Sequence, residues 1–327
     1  MADGQVKDDL YKIRYKISSQ HNKESTTIKI SPNGLYFATA SSDATIHIFN
    51  LESGSFIRSL SSHSRGISDI AWAQDSRHLA SVSDDMTIRI WDVEFGECLN
   101  ILEGHTYHVT CVEFNYRGNL LVTGSADEAI RIWDAQNGKC LKTLSAHSDP
   151  IASVDLSWDG TIIASASYDG LIRLFDTESG QCLKTLIYDK GGSSFPVSYI
   201  RFSPNGNYLL ATTLDNTIRL WDYMNNRVVK TYQGGTGFSE KYTCGSRFVT
   251  TSKDPLIASG SENGNIYIWD LQSKKILSTI EISPSSPVLQ IDTFGKVLCA
   301  ISMDGTVKVF DLSDEFKEYD SDRTDTD

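Results

Sequence analysis

The sequence predicts an all-β fold, a seven-bladed β-propeller closed by its own N-terminal strand. Three observations predict it. First, an aromatic residue followed by Asp or Asn closes a short β-like run seven times: Phe49-Asn50, Trp91-Asp92, Trp133-Asp134, Phe175-Asp176, Trp221-Asp222, Trp269-Asp270 and Phe310-Asp311. The second members lie 42, 42, 42, 46, 48 and 41 residues apart, and a period of about 40–45 ending this way belongs to four-stranded blades. Second, each repeat reads as short strands divided by turn residues. Val109–Phe114, Leu120–Ser125 and Ala129–Asp134 are β-rich runs, and Asn137-Gly138 turns the chain into a fourth, Lys139–Leu144. Even spacing with Gly, Asn and Asp turns is what a blade requires. Third, the last repeat runs out of strands, because the chain turns acidic soon after Asp311, while Tyr11–Ile17 is a strand with no repeat of its own. Donating it to the last blade removes an open sheet edge.

Taken in order, residues 1–10 read as a flexible polar arm, 11–312 as the propeller and 313–327 as a disordered acidic tail. The tail holds seven acidic and two basic residues, a composition that cannot bury a core. Two connections, Tyr188–Phe195 and Gly234–Glu240, are long and Gly/Ser-rich and read as loops.

Composition narrows the function classes. Hydrophobic residues make up 40% of the 327, enough for a large core, and the formal net charge is -12. That charge leaves no electrostatic footprint for general nucleic-acid binding. No apolar run approaches a membrane span, and the N-terminus lacks the apolar stretch of a signal peptide; a soluble chain is expected. Of six cysteines, Cys98, Cys140 and Cys182 recur at 42-residue spacing. Equivalent blade positions point the same way, so pairing is not expected; these thiols read as small buried hydrophobes. A reducing compartment fits. No phosphate loop, dinucleotide fingerprint or metal-ligand spacing is present, so no cofactor and no metal are expected.

Ser, His and Asp recur together and invite a hydrolase reading. The spacing argues otherwise. His63, Ser83, Asp85 and Trp91 repeat one period later as His105, Ser125, Asp127 and Trp133, and again as His147, Ser167 and Asp169 with Phe175. A catalytic triad occurs once per active site; a set repeated per blade is architectural. The expected network runs from Asp through a neutral His to the Ser hydroxyl and the indole N–H. Arg89, Arg131, Arg173 and Arg219 stand in register on the third strands. They read as stems packed on the sheet with carboxylate partners, with an anion-binding stripe as the alternative.

The repeats identify the chain as a WD-repeat protein. Longer stretches, among them Ser31-Pro32-Asn33-Gly34, Gly66-Ile67-Ser68-Asp69-Ile70-Ala71-Trp72, Ala146-His147-Ser148-Asp149-Pro150 and Ser179-Gly180-Gln181-Cys182-Leu183-Lys184-Thr185-Leu186, resemble one subfamily. It is the propeller subunit of COMPASS-type histone H3 lysine-4 methyltransferase complexes. The resemblance covers residues 11–312. It implies a non-enzymatic, nuclear scaffold whose partners are a SET-domain methyltransferase subunit, a companion WD-repeat propeller and the histone H3 tail. No direct nucleic-acid or membrane partner is implied. The channel mouth is expected at Ser42, Ser68, Asp84, Thr110, Ala126, Tyr168, Tyr242, Thr243 and Gly245. A side groove for the companion is expected at Asn205, Tyr208, Leu220, Lys230, Phe248 and Gln272. One departure stands out. Animal members hold an arginine between two phenylalanines at positions that carry Thr110 and Gly245 here, and Ala126 replaces a third aromatic. The alternative reading is a WD-repeat adaptor of another assembly, a ubiquitin ligase or an RNA-processing complex; a third is an enzyme at the channel mouth.

Overall fold

The computed structural model describes residues 10–188, 194–235, 237–249 and 255–313. Most of the N-terminal arm, the acidic tail beyond Ser313, and parts of both long connections lie outside the described residues. Among the described residues, twenty-eight strands form seven four-stranded antiparallel sheets. We number the blades by their inner strands: Ser25–Ile30, Ile67–Trp72, Val109–Phe114, Ile151–Leu156, Val197–Phe202, Ser246–Val249 and Val288–Phe294 for blades 1 to 7. Consecutive inner strands pack against one another, and that of blade 1 packs against that of blade 7, so the ring closes around a channel.

Closure is made by the strand Tyr11–Ser18, which pairs antiparallel with Thr306–Leu312 as the outer strand of blade 7. Arg14 Nε donates to Asp311 Oδ2 at 2.8 Å, and Tyr15 donates to the Leu51 carbonyl of blade 1 at 2.6 Å. The packed ring extends one residue beyond the expected boundaries at each end. Leu10, assigned to the arm, is 2% exposed and joins the core between blades 6 and 7. Its carbonyl accepts the Ser313 N–H at 2.9 Å.

The core is divided among the junctions. Each of seven buried clusters joins two neighbouring blades, for example Ile88, Ile90 and Leu102 of blade 2 with Val109, Val112 and Leu121 of blade 3. Alternation along each strand sends one row of side chains to each neighbour. A blade therefore buries its faces only when both neighbours are present.

The repeated polar set pins the outer part of a blade to its turn. His63 Nδ1 lies 2.9 Å from Asp85 Oδ2, and His105 Nδ1 is the same distance from Asp127. The hydroxyl joining His to Trp is not that of Ser83 or Ser125. It belongs to Ser81 in blade 2 and Thr123 in blade 3, each 2.8 Å from the histidine Nε2; the Trp91 and Trp133 indoles donate to them at 2.8 and 2.9 Å. Two residues along a strand advance about 6.6 Å, so Ser83 and Ser125 share the face but lie beyond the indole. They cap the turn instead, accepting the Asp85 and Asp127 N–H groups. In blade 4, Ser165 rather than Ser167 meets His147 at 2.7 Å, and Phe175 offers no donor. Burial alone raises the Asp127 carboxyl, but His105 and the Thr106 N–H outweigh it and hold the group well below the usual carboxylate range. Blade 1 differs: His21 stacks on His47 at 4.1 Å, and burial together with His47 pushes the His21 imidazole down to about 4.

Two other expectations are corrected. Cys98 and Cys140 are half-buried and Cys182 is exposed, because they sit on outer strands whose far face meets water; Cys111, Cys244 and Cys299 are the buried thiols, and all six are unpaired. A carboxylate partners Arg173 (Asp169, 3.7 Å) and Arg219 (Asp215). Arg89 donates to Ser62 Oγ at 2.7 Å, and Arg131 lies near Cys140 and over Trp133.

Deleting residues 1–18 is expected to destabilise the ring by at least about 3 kcal/mol, since Leu10 and Tyr11 lose their burial; a thermal melt unchanged by the truncation would refute closure. Thr123→Val is expected to cost more than Ser125→Ala in urea unfolding. The first strands two buried nitrogens at about 1–3 kcal/mol each, and the second removes the bonds to the Asp127 N–H and the His108 carbonyl, each worth about 0.5–1.5 kcal/mol.

Candidate protein-binding sites

The upper mouth of the channel is the end reached by the turns between second and third strands and by the connections between blades. Ser42, Asp84, Ala126 and Tyr168 occupy the same turn in blades 1 to 4. Ser68 and Thr110 reach the mouth differently. The pairing of first and second strands slips by one residue at Ser68 in blade 2 and at Thr110 in blade 3. Such a bulge leaves one residue outside the ladder and re-aims its side chain. Thr26, Ala152, Ser198 and Leu289 hold the equivalent position in blades 1, 4, 5 and 7.

The expected mouth residues fall into two groups. Ser68 Oγ donates to Asp84 Oδ1 at 3.2 Å. Gly66 packs against Ser42 and Asp84; a methyl there would lie 3.1 Å from Ser42 Cα and 3.5 Å from Asp84 Oδ2. His108 donates from Nδ1 to the Asp84 carbonyl at 2.9 Å. The Asp84 side chain keeps 48% of its surface exposed, so this arc presents a hydrated carboxylate ringed by hydroxyls. The second group faces it from blades 4 and 6: the Tyr168 hydroxyl lies 3.5 Å from Thr243 Oγ1, and Tyr242 next to it is exposed.

Two expected positions are closed. Thr110 Oγ1 donates back to the Ile151 carbonyl of blade 4 at 2.5 Å and to Gly124 at 3.0 Å. At Gly245, the space a side chain would enter is filled by the Gln290 amide of blade 7, itself buried. These two positions thus tie blades to one another. The expected residues can offer hydrogen bonds, the Asp84 carboxylate and two tyrosine rings; a further carboxylate, Glu262, occupies the same turn in blade 6 and accepts the N–H groups of Glu240, Lys241 and Tyr242.

The residues expected to form a side groove lie on blades 5 and 6. Tyr208 and Phe248 are half-buried against the core of that junction, and Asn205 is exposed on a turn that its own side chain caps. Lys230 Nζ spans the blades, donating to the Leu271 carbonyl at 2.9 Å and to Gln272 Oε1 at 2.6 Å. Leu220, expected as an exposed anchor, is 3% exposed. It sits on the third strand of blade 5, flanked on both sides, and its side chain packs in the cluster of Trp269 at the junction with blade 6, so it is part of the core and not an exposed anchor.

Sequence reasoning missed the channel wall. One position of the inner strands reads Lys29, Ala71, Glu113, Asp155, Arg201, Arg247 and Asp292. Arg201 of blade 5 bonds Asp155 of blade 4 at 3.2 Å and Glu113 of blade 3 at 2.7 Å. Arg247 pairs with Asp292 at 2.9 Å and donates to Tyr199. Lys29 faces Asp69 at 3.7 Å. The signal was present: charges recurring at the blade period on an apolar strand. Among the described residues no group of three or more His, Cys, Asp or Glu is placed to hold a metal ion.

Gly245→Ala is expected to lower stability by about 1–3 kcal/mol through overpacking against Gln290. Combining it with Gln290→Ala should cost less than the two single changes added together; additive costs in chemical denaturation would contradict the contact.

Comparison with known proteins bears on these sites. Residues 17–311 match the WDR5 beta-propeller domain family. Over 69 residues the chain is 39% identical to COMPASS component SWD3 of Saccharomyces cerevisiae, covering 20% of this chain and 22% of that protein. It is 43% identical over 51 residues to U3 small nucleolar RNA-associated protein 13 of the same organism (16% and 6% covered), and 40% identical over 52 residues to the Lissencephaly-1 homolog of Monosiga brevicollis (16% and 13%). The matched stretches thus span about a fifth or less of these relatives' lengths. The family match takes in nearly the whole ring, and on that ground the chain belongs to the WDR5 β-propeller family.

Proposed function

We propose that this chain is a non-catalytic scaffold subunit of a COMPASS-like histone H3 lysine-4 methyltransferase complex in the nucleus. The observation that carries the reading is the combination of a WDR5-family propeller over residues 17–311 with a stretch similar to COMPASS component SWD3. In this role the side groove holds a companion propeller through Tyr208 and Phe248, and the upper mouth meets the SET-domain subunit or the H3 tail through Asp84, Ser68 and the Tyr168–Tyr242 side. Contact there rests on hydrogen bonds and the Asp84 carboxylate, without the stacking worth about 1–2 kcal/mol per desolvated pair. The chain contributes no reaction of its own, and the methyl donor and the lysine bind on other subunits.

The second reading is a WD-repeat adaptor of another assembly. The similarity to U3 small nucleolar RNA-associated protein 13 favours RNA processing among those assemblies.

The test is affinity purification of the tagged chain from native nuclear extract, with mass spectrometry and an H3 methylation assay on the eluate. A SET-domain protein and a second propeller, with lysine-4 activity, are expected. The Tyr208→Ala/Phe248→Ala variant is expected to lose the second propeller and still unfold in one cooperative melt, with a melting temperature lower by a few degrees because both rings are half-buried against the core. An eluate holding a different assembly would discard the methyltransferase reading.

A further inference from the structure

The lower face of the ring, opposite the tyrosine-bearing mouth, carries a feature that neither the core nor the sites above use. The turn between first and second strands holds Pro32, Gln74, Tyr116, Trp158 and Pro204 at its second position in blades 1 to 5. Trp158 is 65% exposed and Tyr116 54%. Their rings meet edge to face at 4.7 Å, and neither belongs to any of the seven core clusters. Large exposed aromatics without a packing role mark interaction surfaces.

Three clefts run side by side past this pair. One of about 370 Å³ between blades 2 and 3 is lined by Asp75, His78 and Arg117. The next, about 270 Å³, shares Arg117 and is walled by Tyr116, Trp158 and Asp159. The third, about 230 Å³, shares both aromatics and opens on Glu113, Asp155 and Arg201 at the lower channel mouth. Glu113 and Asp155 are bound to Arg201, and Asp155 is buried; the carboxylates open to a ligand are Asp75, which also meets His78 at 2.6 Å, and Asp159, against the one guanidinium of Arg117. Asp159 stays ionised, held low by Ser157 and the Thr161 N–H.

We propose that this aromatic and acidic lower face is a docking site for a basic peptide segment of a partner protein. An arginine or lysine side chain lies on the free face of Trp158 beside Asp159, and Asp75 in the adjoining cleft balances the segment's further charge. The aromatic face attracts the cation through its quadrupole, and the charge imbalance selects against acidic segments. A single-stranded nucleic acid would also stack on Trp158, but its phosphates meet the same carboxylates. The proposal does not depend on the COMPASS reading, since it concerns the other end of the channel and the other side of the ring.

The experiment uses the full chain and three fluorescein-labelled probes: a peptide alternating Arg/Lys with Gly/Ser, its Glu counterpart, and a twelve-nucleotide single strand. Anisotropy is expected to show binding of the basic peptide that weakens with added salt, and none of the others. Trp158→Ala and Tyr116→Ala each weaken it by about fivefold. Both sites are exposed, so folding is retained, and a matching thermal melt checks it. Arg117→Glu tightens binding by about twofold or more. Asp84→Asn at the upper mouth and Tyr208→Ala in the side groove leave it within about twofold, which separates this site from the other two. Absence of basic-peptide binding, equal binding of the Glu peptide or the oligonucleotide, insensitivity to Trp158→Ala, or loss through Asp84→Asn would each overturn the proposal.

Discussion

Closure of the ring by Tyr11–Ser18 is the constraint on which the remaining structure rests. Each blade buries its two faces against its neighbours, so every core cluster is shared between sheets. A seam left open at blade 7 would expose a sheet edge and the two core faces beside it. The partners that close it are among the most distant in sequence, as in Arg14 and Asp311, 297 residues apart. Local hairpins can form blade by blade, whereas this last pairing is non-local and carries a loop-closure cost that local pairings escape. The same closure fixes the channel, and with it the relative positions of both mouths.

Inside the channel, charge takes the place of apolar packing. Carboxylates and cations on the inner strands pair between blades, and Arg201 links blades 3, 4 and 5. Burial raises the Asp69 and Asp155 carboxyls, opposed by Lys29 and Arg201 respectively. Buried ion pairs offset much of their attraction by desolvation, and breaking one leaves an uncompensated charge. The wall is thus a device that tolerates little change, while the mouths, built from turns and bulges, can vary without disturbing it. Thr110 and Gly245 illustrate that separation at the mouth. Thr110 gains backbone acceptors in blade 4, and Gly245 makes room for Gln290.

The polar sets illustrate how far pattern carries an argument. Recurrence alone separated them from a catalytic triad, and the His–Asp contacts have the geometry that spacing suggested. Which hydroxyl completes the set was not legible, because Ser81 and Ser83 share a strand face and differ by one step of the pleat. Register settles it: Ser81 lies opposite Arg89, and Leu79 opposite Trp91, which brings the indole nitrogen back to Ser81. Leu220 shows the same limit for burial. Its residue type and position suit a groove, but depth depends on the neighbouring sheet.

The sequence by itself determined the number of blades, the order of strands within each, the donation of the first strand to the last blade, and the architectural nature of the repeated His, Asp and Trp. These follow from a period and from local turn chemistry, both readable along one chain. Tertiary structure alone decided which hydroxyl bridges each network, that Cys98, Cys140 and Cys182 face outward, that Gln290 fills the place beside Gly245, and that Tyr116 and Trp158 meet at the surface. Each of those outcomes depends on side chains from different blades meeting across a junction. Distance between blades is set by ring closure, which no window of sequence contains.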